Sequence, residues 1–423
     1  MMGDSQYWNG FPMGKLMASY AVNFLKQTRN DAECFKFAFM SLHPAQINTI
    51  VDKLYSPLID FEDRLDDTNY ETLQRYGNDP EETGDRIFED IAAGKLDTTI
   101  STFAAELAAA LKKNVKLTEE EASFLSQLKA ELSQLFAVTG LDCDIIMQCI
   151  CMHEMDKAYR CVNNFPNHIL VADMLGLPYS AVRTALSSDS SLMRSGIIEV
   201  PVHGGFCEAS DFVREYVLGM RKSIIDDKIL ETSDRETLPL ENFSIEQKST
   251  EMMTDLLEND GPAHIFLYGK PGTGKTEISR TLSRLCGRQC YITSLGRSSD
   301  AAGTRNQNDR FTALVAAQSI AARNGAVLIV DEADSILNSR SFFNPNPTEK
   351  GWLNSFMDRA EAKIIWIAND IGGIDPSTMR RFTYSLYFPD MSIPERANVL
   401  RYQLERSQLS GICIAGAASG LLR

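Results

Sequence analysis

The second half of this 423-residue chain predicts an α/β fold, a parallel sheet of about five strands with flanking helices, and the first half predicts a mostly α-helical region. Three observations carry this prediction. Short apolar runs recur from residue 263 onward, at Ala263–Tyr268, Ala326–Val330 and Ile364–Ala368, with helix-length segments between them. A strand covered on both faces needs no polar alternation. The first run leads directly into Gly269-Lys-Pro-Gly-Thr-Gly-Lys-Thr276, and the front half instead repeats its apolar residues every three or four positions.

Composition sets the outer limits. The chain is 44% hydrophobic and 23% charged, with a net charge of −15 from 42 basic and 57 acidic residues. That is ordinary for a folded globular chain, and the acidic balance argues against a surface built to grip a phosphate backbone. No run approaches the length a membrane helix needs, so no membrane partner is expected. Met1–Gly14 lacks a charged-then-apolar leader, which makes the cytoplasm the expected location. The nine cysteines are scattered and read as reduced thiols. Cys149, Cys151, His153 and Cys161 form a C-x-C-x-H cluster without the C-x2-C spacing of common zinc sites. We read these cysteines, with Cys286 and Cys290, as core thiols.

Taken in order, residues 1–60 form a helical N-terminal segment, with Leu16, Tyr20 and Phe24 at helical spacing. Residues 61–92 read as an acidic loop or linker. Phe61–Asp90 holds eleven acidic residues against three arginines, and Gly77, Pro80 and Gly84 interrupt any periodicity. Residues 93–165 form a second helical region. There Thr118-x-x-Glu121 is a capping box, Leu125, Leu128, Leu132 and Leu135 make an apolar stripe, and Gly140 is expected to stop the helix.

Residues 166–235 read as a winged-helix-like unit and connector. Ala172, Gly176 and Val182 have helix-turn-helix spacing, and Ser191–Val200 leads from a third helix into a strand. A helix that reads DNA presents several basic or amide side chains, whereas Pro178–Leu186 offers only Arg183. A structural or protein-contacting role is therefore expected.

The chemistry lies in residues 236–392. Gly269-x4-Gly274-Lys275-Thr276, following a strand and opening a helix, is the phosphate-binding loop of a P-loop NTPase. Its glycines let backbone amides converge on phosphate, and the helix directs its positive end there. Gly269, Lys270, Pro271, Gly272, Thr273, Gly274, Lys275, Thr276 and Glu277 are the expected nucleotide-binding residues. Lys275 would reach the β- and γ-phosphates, and the Thr276 hydroxyl would hold Mg²⁺. Ala326–Asp331 is an apolar strand ending in carboxylates: Asp331 suits the magnesium shell and Glu332 suits polarising water. Asn369 ends a further strand, where its amide can orient that water, and Arg380 and Arg381 lie just beyond, suited to charge on a transferring phosphoryl group.

In order and spacing, these four pieces, from Gly269 to Phe382, resemble the AAA+ ATPase family over roughly a third of the chain. The resemblance makes them the Walker A loop, the Walker B strand, the sensor 1 asparagine and the arginine finger region. It implies ATP and Mg²⁺ as ligands and Glu332, Asn369, Arg380 and Arg381 as catalytic residues, with Arg380 the finger and Arg381 beside it. It also implies a homo-oligomer, since a finger acting on a neighbour's nucleotide needs a ring or partial ring. Leu240–Ile245, with Phe243, is similar to the linker over the adenine, and Met391–Arg401 to the start of the helical lid, so that 393–423 reads as a short or truncated lid. Ser294–Arg305 lacks the aromatic-aliphatic-Gly triplet of protein-threading members, and Ser339–Glu349 is an insertion. The expected activity is ATP hydrolysis coupled to remodelling of a protein partner. The alternatives are a DNA-associated ATPase using the helix-turn-helix, and an ATP-binding scaffold with little turnover.

Overall fold

A computed structural model describes residues 11–27, 31–59, 79–155, 162, 167–199, 207–225, 230–232, 237–294, 307–337, 347–392 and 396. The chain divides into two compact units, Met1–Ile224 and Ile225–Arg423.

The first unit is helical. Helices Met13–Lys26, Ala32–Met40 and Pro44–Ile59 open it, and Met17, Phe24, Phe35, Phe37 and Phe39 are fully buried. The span expected to be an acidic loop is in part a helix, Pro80–Ala92. The features that looked like interruptions are its start and its packing surface. Asp79 caps it by accepting from the amides of Glu81 and Glu82, and Pro80 occupies the first turn, where no amide is needed. Gly84 faces inward, because a β-carbon there would lie 3.0 Å from the Lys36 backbone. The rest of the expected linker, 61–78, lies outside the described residues.

Helices Ile100–Lys112, Glu119–Phe136 and Gly140–Glu154 follow. Thr118 and Glu121 form the expected capping box, and Leu125, Leu128, Leu132 and Leu135 are buried. The stop is not at Gly140. The helix ends at Ala137, which takes the left-handed conformation (φ 54°), and Gly140 opens the next helix. Thr139 and Asp142 form a second capping box there, and a short turn leaves no room for a separate stop. Cys149 and Cys151 are buried, while His153 is exposed. Cys161 lies outside the described residues.

The helix-turn-helix consists of Asn167–Leu175 and Tyr179–Ala185. Gly176 turns the chain at φ +67°, and Ala172 and Val182 are buried where the helices meet. Helix Ser191–Arg194 then leads into β1 (Ile198–Glu199), which pairs antiparallel with β2 (Glu208–Ala209). Helix Asp211–Val217 closes the unit. Among the described residues no single helix is long and apolar enough to cross a membrane.

The second unit is a six-stranded sheet with flanking helices. Its strands are β3 (Glu231–Thr232), β4 (Ala263–Tyr268), β5 (Cys290–Ser294), β6 (Val327–Asp331), β7 (Lys363–Ala368) and β8 (Tyr384–Tyr387), in spatial order β3-β5-β6-β7-β4-β8. β4 to β8 are mutually parallel, and β3 adds an antiparallel edge. The five mutually parallel strands are those expected, and the antiparallel β3 is an added edge strand that comes from the segment read as a connector. Two exposed residues carry no apolar signal, and only backbone pairing with β5 makes them a strand. The apolar runs are central: every residue of β7 is buried, and only Asp331 of β6 is partly exposed. The chain order crosses from β4 to β5 and returns through β6 and β7, so β7 separates the strands that end in the phosphate loop and the acidic pair. Crossover connections of this kind leave a crevice beyond the strands' carboxyl ends. Of residues 393–423 only Arg396 is described, and 295–306 and 338–346 lie outside the described residues.

Candidate functional site: a phosphate loop facing an acidic strand end

β4 delivers the loop. Gly269 sits at φ +142° against the neighbouring strand end, where a β-carbon would lie 2.2 Å from the Phe388 carbonyl oxygen. Gly272 and Gly274 adopt φ +78° and +89°, turning the backbone into helix Lys275–Leu285, which begins at Gly274. Few residues but glycine take these conformations without strain. Positive φ at three glycines within six residues is the kind of turn expected of a phosphate-binding loop.

Lys275 is 5% exposed and folds back over the loop. Its Nζ donates to the carbonyl oxygens of Gly269 (2.5 Å) and Lys270 (2.8 Å) and lies 3.4 Å from Thr273 Oγ1. Burial holds its pKa below the usual lysine range, against the opposing pull of Asp331 and Asp334. An ammonium so placed gains most from an arriving anion. The Thr276 hydroxyl donates to Asp331 Oδ2 at 2.9 Å, joining the first turn of the loop helix to the end of β6. A hydroxyl and a carboxylate are the hard oxygen donors magnesium takes, so these residues fit that ion.

Glu332 follows at φ 53°, a conformation costing a non-glycine residue roughly 1–2 kcal/mol. Its amide donates to Asp331 Oδ1 (2.9 Å), and the next amide, Ala333, donates to the Ile367 carbonyl on β7 (2.8 Å). The turn is thus held at both ends, with the strained residue between. Strain of this kind collects where side-chain direction matters.

Sequence reading missed Asp334. Its carboxylate accepts from the Asn369 amide (2.9 and 3.0 Å), from Asn369 Nδ2 (3.3 Å) and from the Asp370 amide (3.0 Å). It fixes Asn369 at the site edge, and its position three residues after Asp331 was the available signal.

Three of the expected site residues, two at the loop and one of the arginine pair, have side-chain partners of their own. The Glu277 carboxylate accepts from the Leu238 amide (3.3 Å) and Arg280 (3.3 Å), while Thr281 Oγ1 donates to the Leu238 carbonyl (3.0 Å). Glu277 therefore straps the chain before Leu240 onto the loop helix, and only its backbone remains for phosphate. Lys270 makes an exposed ion pair with Asp390 (2.6 Å). Arg381 donates Nε and Nη2 to the two oxygens of Asp358, each at 2.8 Å, and Nη1 to the Ser377 carbonyl. Arg381 is thereby occupied. Arg380, by contrast, is exposed. Phe243 lies beside the loop, its ring 3.6 Å from where a Gly274 β-carbon would sit.

Residues 265–390 match the profile of the family described as "ATPase family associated with various cellular activities (AAA)". The chain carries an AAA+ domain. Among similar proteins is "Spastin" of Naegleria gruberi, 27% identical over 36% of this chain and 32% of that protein. A "26S proteasome regulatory subunit 8 homolog" of Encephalitozoon cuniculi is 26% identical over 47% of this chain and 51% of that protein. The chain thus spans between a third and a little over half the length of such relatives. Among solved structures, the FIGL-1 AAA domain in complex with ADP is similar at 20% identity and TM-score 0.34, over 43% of this chain and 65% of that one.

Proposed function

We propose that the AAA+ domain binds ATP, hydrolyses it with magnesium, and uses the cycle to remodel a protein partner from within a ring or partial ring of identical copies. The observation carrying this reading is the 2.9 Å contact between Thr276 and Asp331 beside the buried Lys275. It brings a phosphate cradle and an acidic strand end, 55 residues apart in sequence, to one point.

The loop amides and Lys275 bind the phosphates, the lysine exchanging two carbonyl partners for anionic oxygens. Thr276 and Asp331 would hold magnesium, which supplies positive charge against that of the phosphates. Glu332, fixed in direction by its turn, accepts a proton from the attacking water, and Asn369, held by Asp334, orients that water. Arg380 projects outward, as a group serving a neighbour's nucleotide must; such an arginine is worth about 10³–10⁵ in rate.

The names of the relatives, one a proteasome regulatory subunit, support a protein partner and an assembly. The helix Tyr179–Ala185 supports the same choice over DNA: Tyr179, Ser180, Arg183 and Thr184 are exposed, a single cation where phosphate contact needs several. We place the protein in the cytoplasm; the seven described cysteines, all free thiols, support a reducing compartment.

The test is Glu332→Gln in the full chain. ATP binding should persist while phosphate release falls at least ~100-fold. Unchanged release would remove hydrolysis at this site from consideration.

A further inference from the structure

The two adjacent arginines end up in opposite situations, and one helix is responsible. Helix Pro347–Arg359 presents Asn354 and Asp358 one turn apart, so both fall on the same face. Asn354 Nδ2 donates to Ser377 Oγ (3.1 Å), and Thr378 Oγ1 donates to Asn354 Oδ1 (3.0 Å). Asp358 takes the fork of Arg381 with both oxygens. Beyond the pair, Phe382 stacks on Phe266 of β4 at 4.4 Å and 12°, and the Thr383 amide donates to the His264 carbonyl (2.7 Å). Residues 377, 378, 381, 382 and 383 are therefore all tied down. Among the described residues the Arg380 side chain makes no ion pair or hydrogen bond. The same helix is tied to β4, because His264 Nε2 meets the Met357 carbonyl at 2.9 Å.

We propose that Asn354 and Asp358 are positioning residues for Arg380, that Arg381 is their anchor and not a second finger, and that Arg380 alone of the pair reaches nucleotide bound by a neighbouring copy. This rests on the reading of the domain as an assembling ATPase. Geometry gives the reason. A guanidinium whose Nε and Nη2 are taken by the Asp358 carboxylate and whose Nη1 is taken by the Ser377 carbonyl has little left for phosphate, and its anchored backbone holds the turn that carries the exposed Arg380. An exposed four-bond side chain loses reach and aim when the turn beneath it loosens, and small misplacements are costly in phosphoryl transfer. Because the helix is also bonded to β4, which ends in the phosphate loop, the subunit's own nucleotide strand and the arginine it presents share one rigid support.

The experiment uses the full chain with Arg380→Ala, Arg381→Asp, Asp358→Arg and the double exchange Asp358→Arg with Arg381→Asp. Two quantities are read: phosphate release with ATP affinity, and amide hydrogen exchange over residues 376–383. The expected result is that each single variant loses at least ~10-fold in turnover with ATP affinity unchanged. Arg381→Asp and Asp358→Arg should also exchange faster over 376–383. The double exchange, which restores the ion pair reversed, should recover both turnover and protection. If turnover in the double exchange stays as low as in Arg381→Asp while protection returns, Arg381 itself meets phosphate and the proposal falls. Wild-type turnover in Arg380→Ala also overturns it. If the parent chain releases no phosphate, hydrolysis as such is wrong, and exchange still decides the clamp: protection lost and regained supports it, and unchanged protection overturns it.

Discussion

Gly269→Ala isolates the tightest contact in the site. At φ +142°, a β-carbon at residue 269 would stand 2.2 Å from the Phe388 oxygen, 3.1 Å from its carbonyl carbon and 3.2 Å from its own β-carbon. That is more than 1 Å inside ordinary contact, and the obstacle is backbone. Phe388 cannot withdraw freely: its amide donates to the Tyr268 carbonyl at 2.7 Å, and its ring is buried in the sheet core. Relief requires separating the ends of β4 and β8. The left-handed backbone costs a side chain ~1–3 kcal/mol, and forcing atoms into a filled core costs a further ~1–3 kcal/mol. The sum is ~2–6 kcal/mol, a large share of a typical ~5–15 kcal/mol stability. Gly272→Ala is the control, with φ +78° but nothing within 4 Å of its β-carbon, so only the backbone cost of ~1–2 kcal/mol applies. Urea unfolding followed by fluorescence of the buried Trp366 should rank the two clearly, while both lose ATP affinity. If Gly269→Ala is no less stable than Gly272→Ala, the steric account of the loop is wrong.

Two further expectations are independent of nucleotide. His264 is buried, with Nδ1 accepting from Trp366 Nε1 (3.1 Å) and Nε2 against the Met357 carbonyl (2.9 Å). Burial lowers its pKa, outweighing the hydrogen bond to Met357 and the charge of Asp358. With the folded value depressed, its stabilisation is present above the unfolded value of ~6.5 and is lost as pH falls through the folded value. Urea midpoints between ~pH 5 and 8 should therefore decline on the acid side, and His264→Gln should flatten that limb; an unaltered limb would assign it elsewhere. Gly84→Ala, at an interior helical position, would ordinarily stabilise by up to ~1 kcal/mol. Here a β-carbon meets the Lys36 nitrogen and α-carbon and the Phe35 carbonyl oxygen, each at 3.0 Å, so a loss of ~1–3 kcal/mol is expected. Thermal unfolding of the first unit would read it, and a gain would refute the close approach.

The sheet and the site were legible to different depths. Ala263–Tyr268 and Val327–Asp331 announce themselves because a strand covered on both faces is mostly apolar without alternation, and the capping box at Thr118–Glu121 because its partners are three residues apart. Glu231–Thr232 gives no such sign: an edge pairing is made by backbone atoms that every residue has. Pro80–Ala92 was obscured because Gly84 looks like a breaker until Lys36, 48 residues earlier, is seen to require it.

In the site, the residue types and their order along the chain pointed to a glycine-rich loop, an acidic pair and an asparagine at strand ends, and the structure places all three at the carboxyl ends of β4, β6 and β7. Which of the neighbouring side chains are already bonded and which are left exposed came only with the tertiary structure. Adjacent Arg380 and Arg381 are chemically identical in the sequence, as Glu277 is any acidic residue after a phosphate loop. What separates them is which carboxylate or amide lies within 3 Å or so in space, and those partners, Asp358 and Leu238, sit 23 and 39 residues away. Local sequence determines what a side chain can do, and the packed fold decides which of its bonds are already taken.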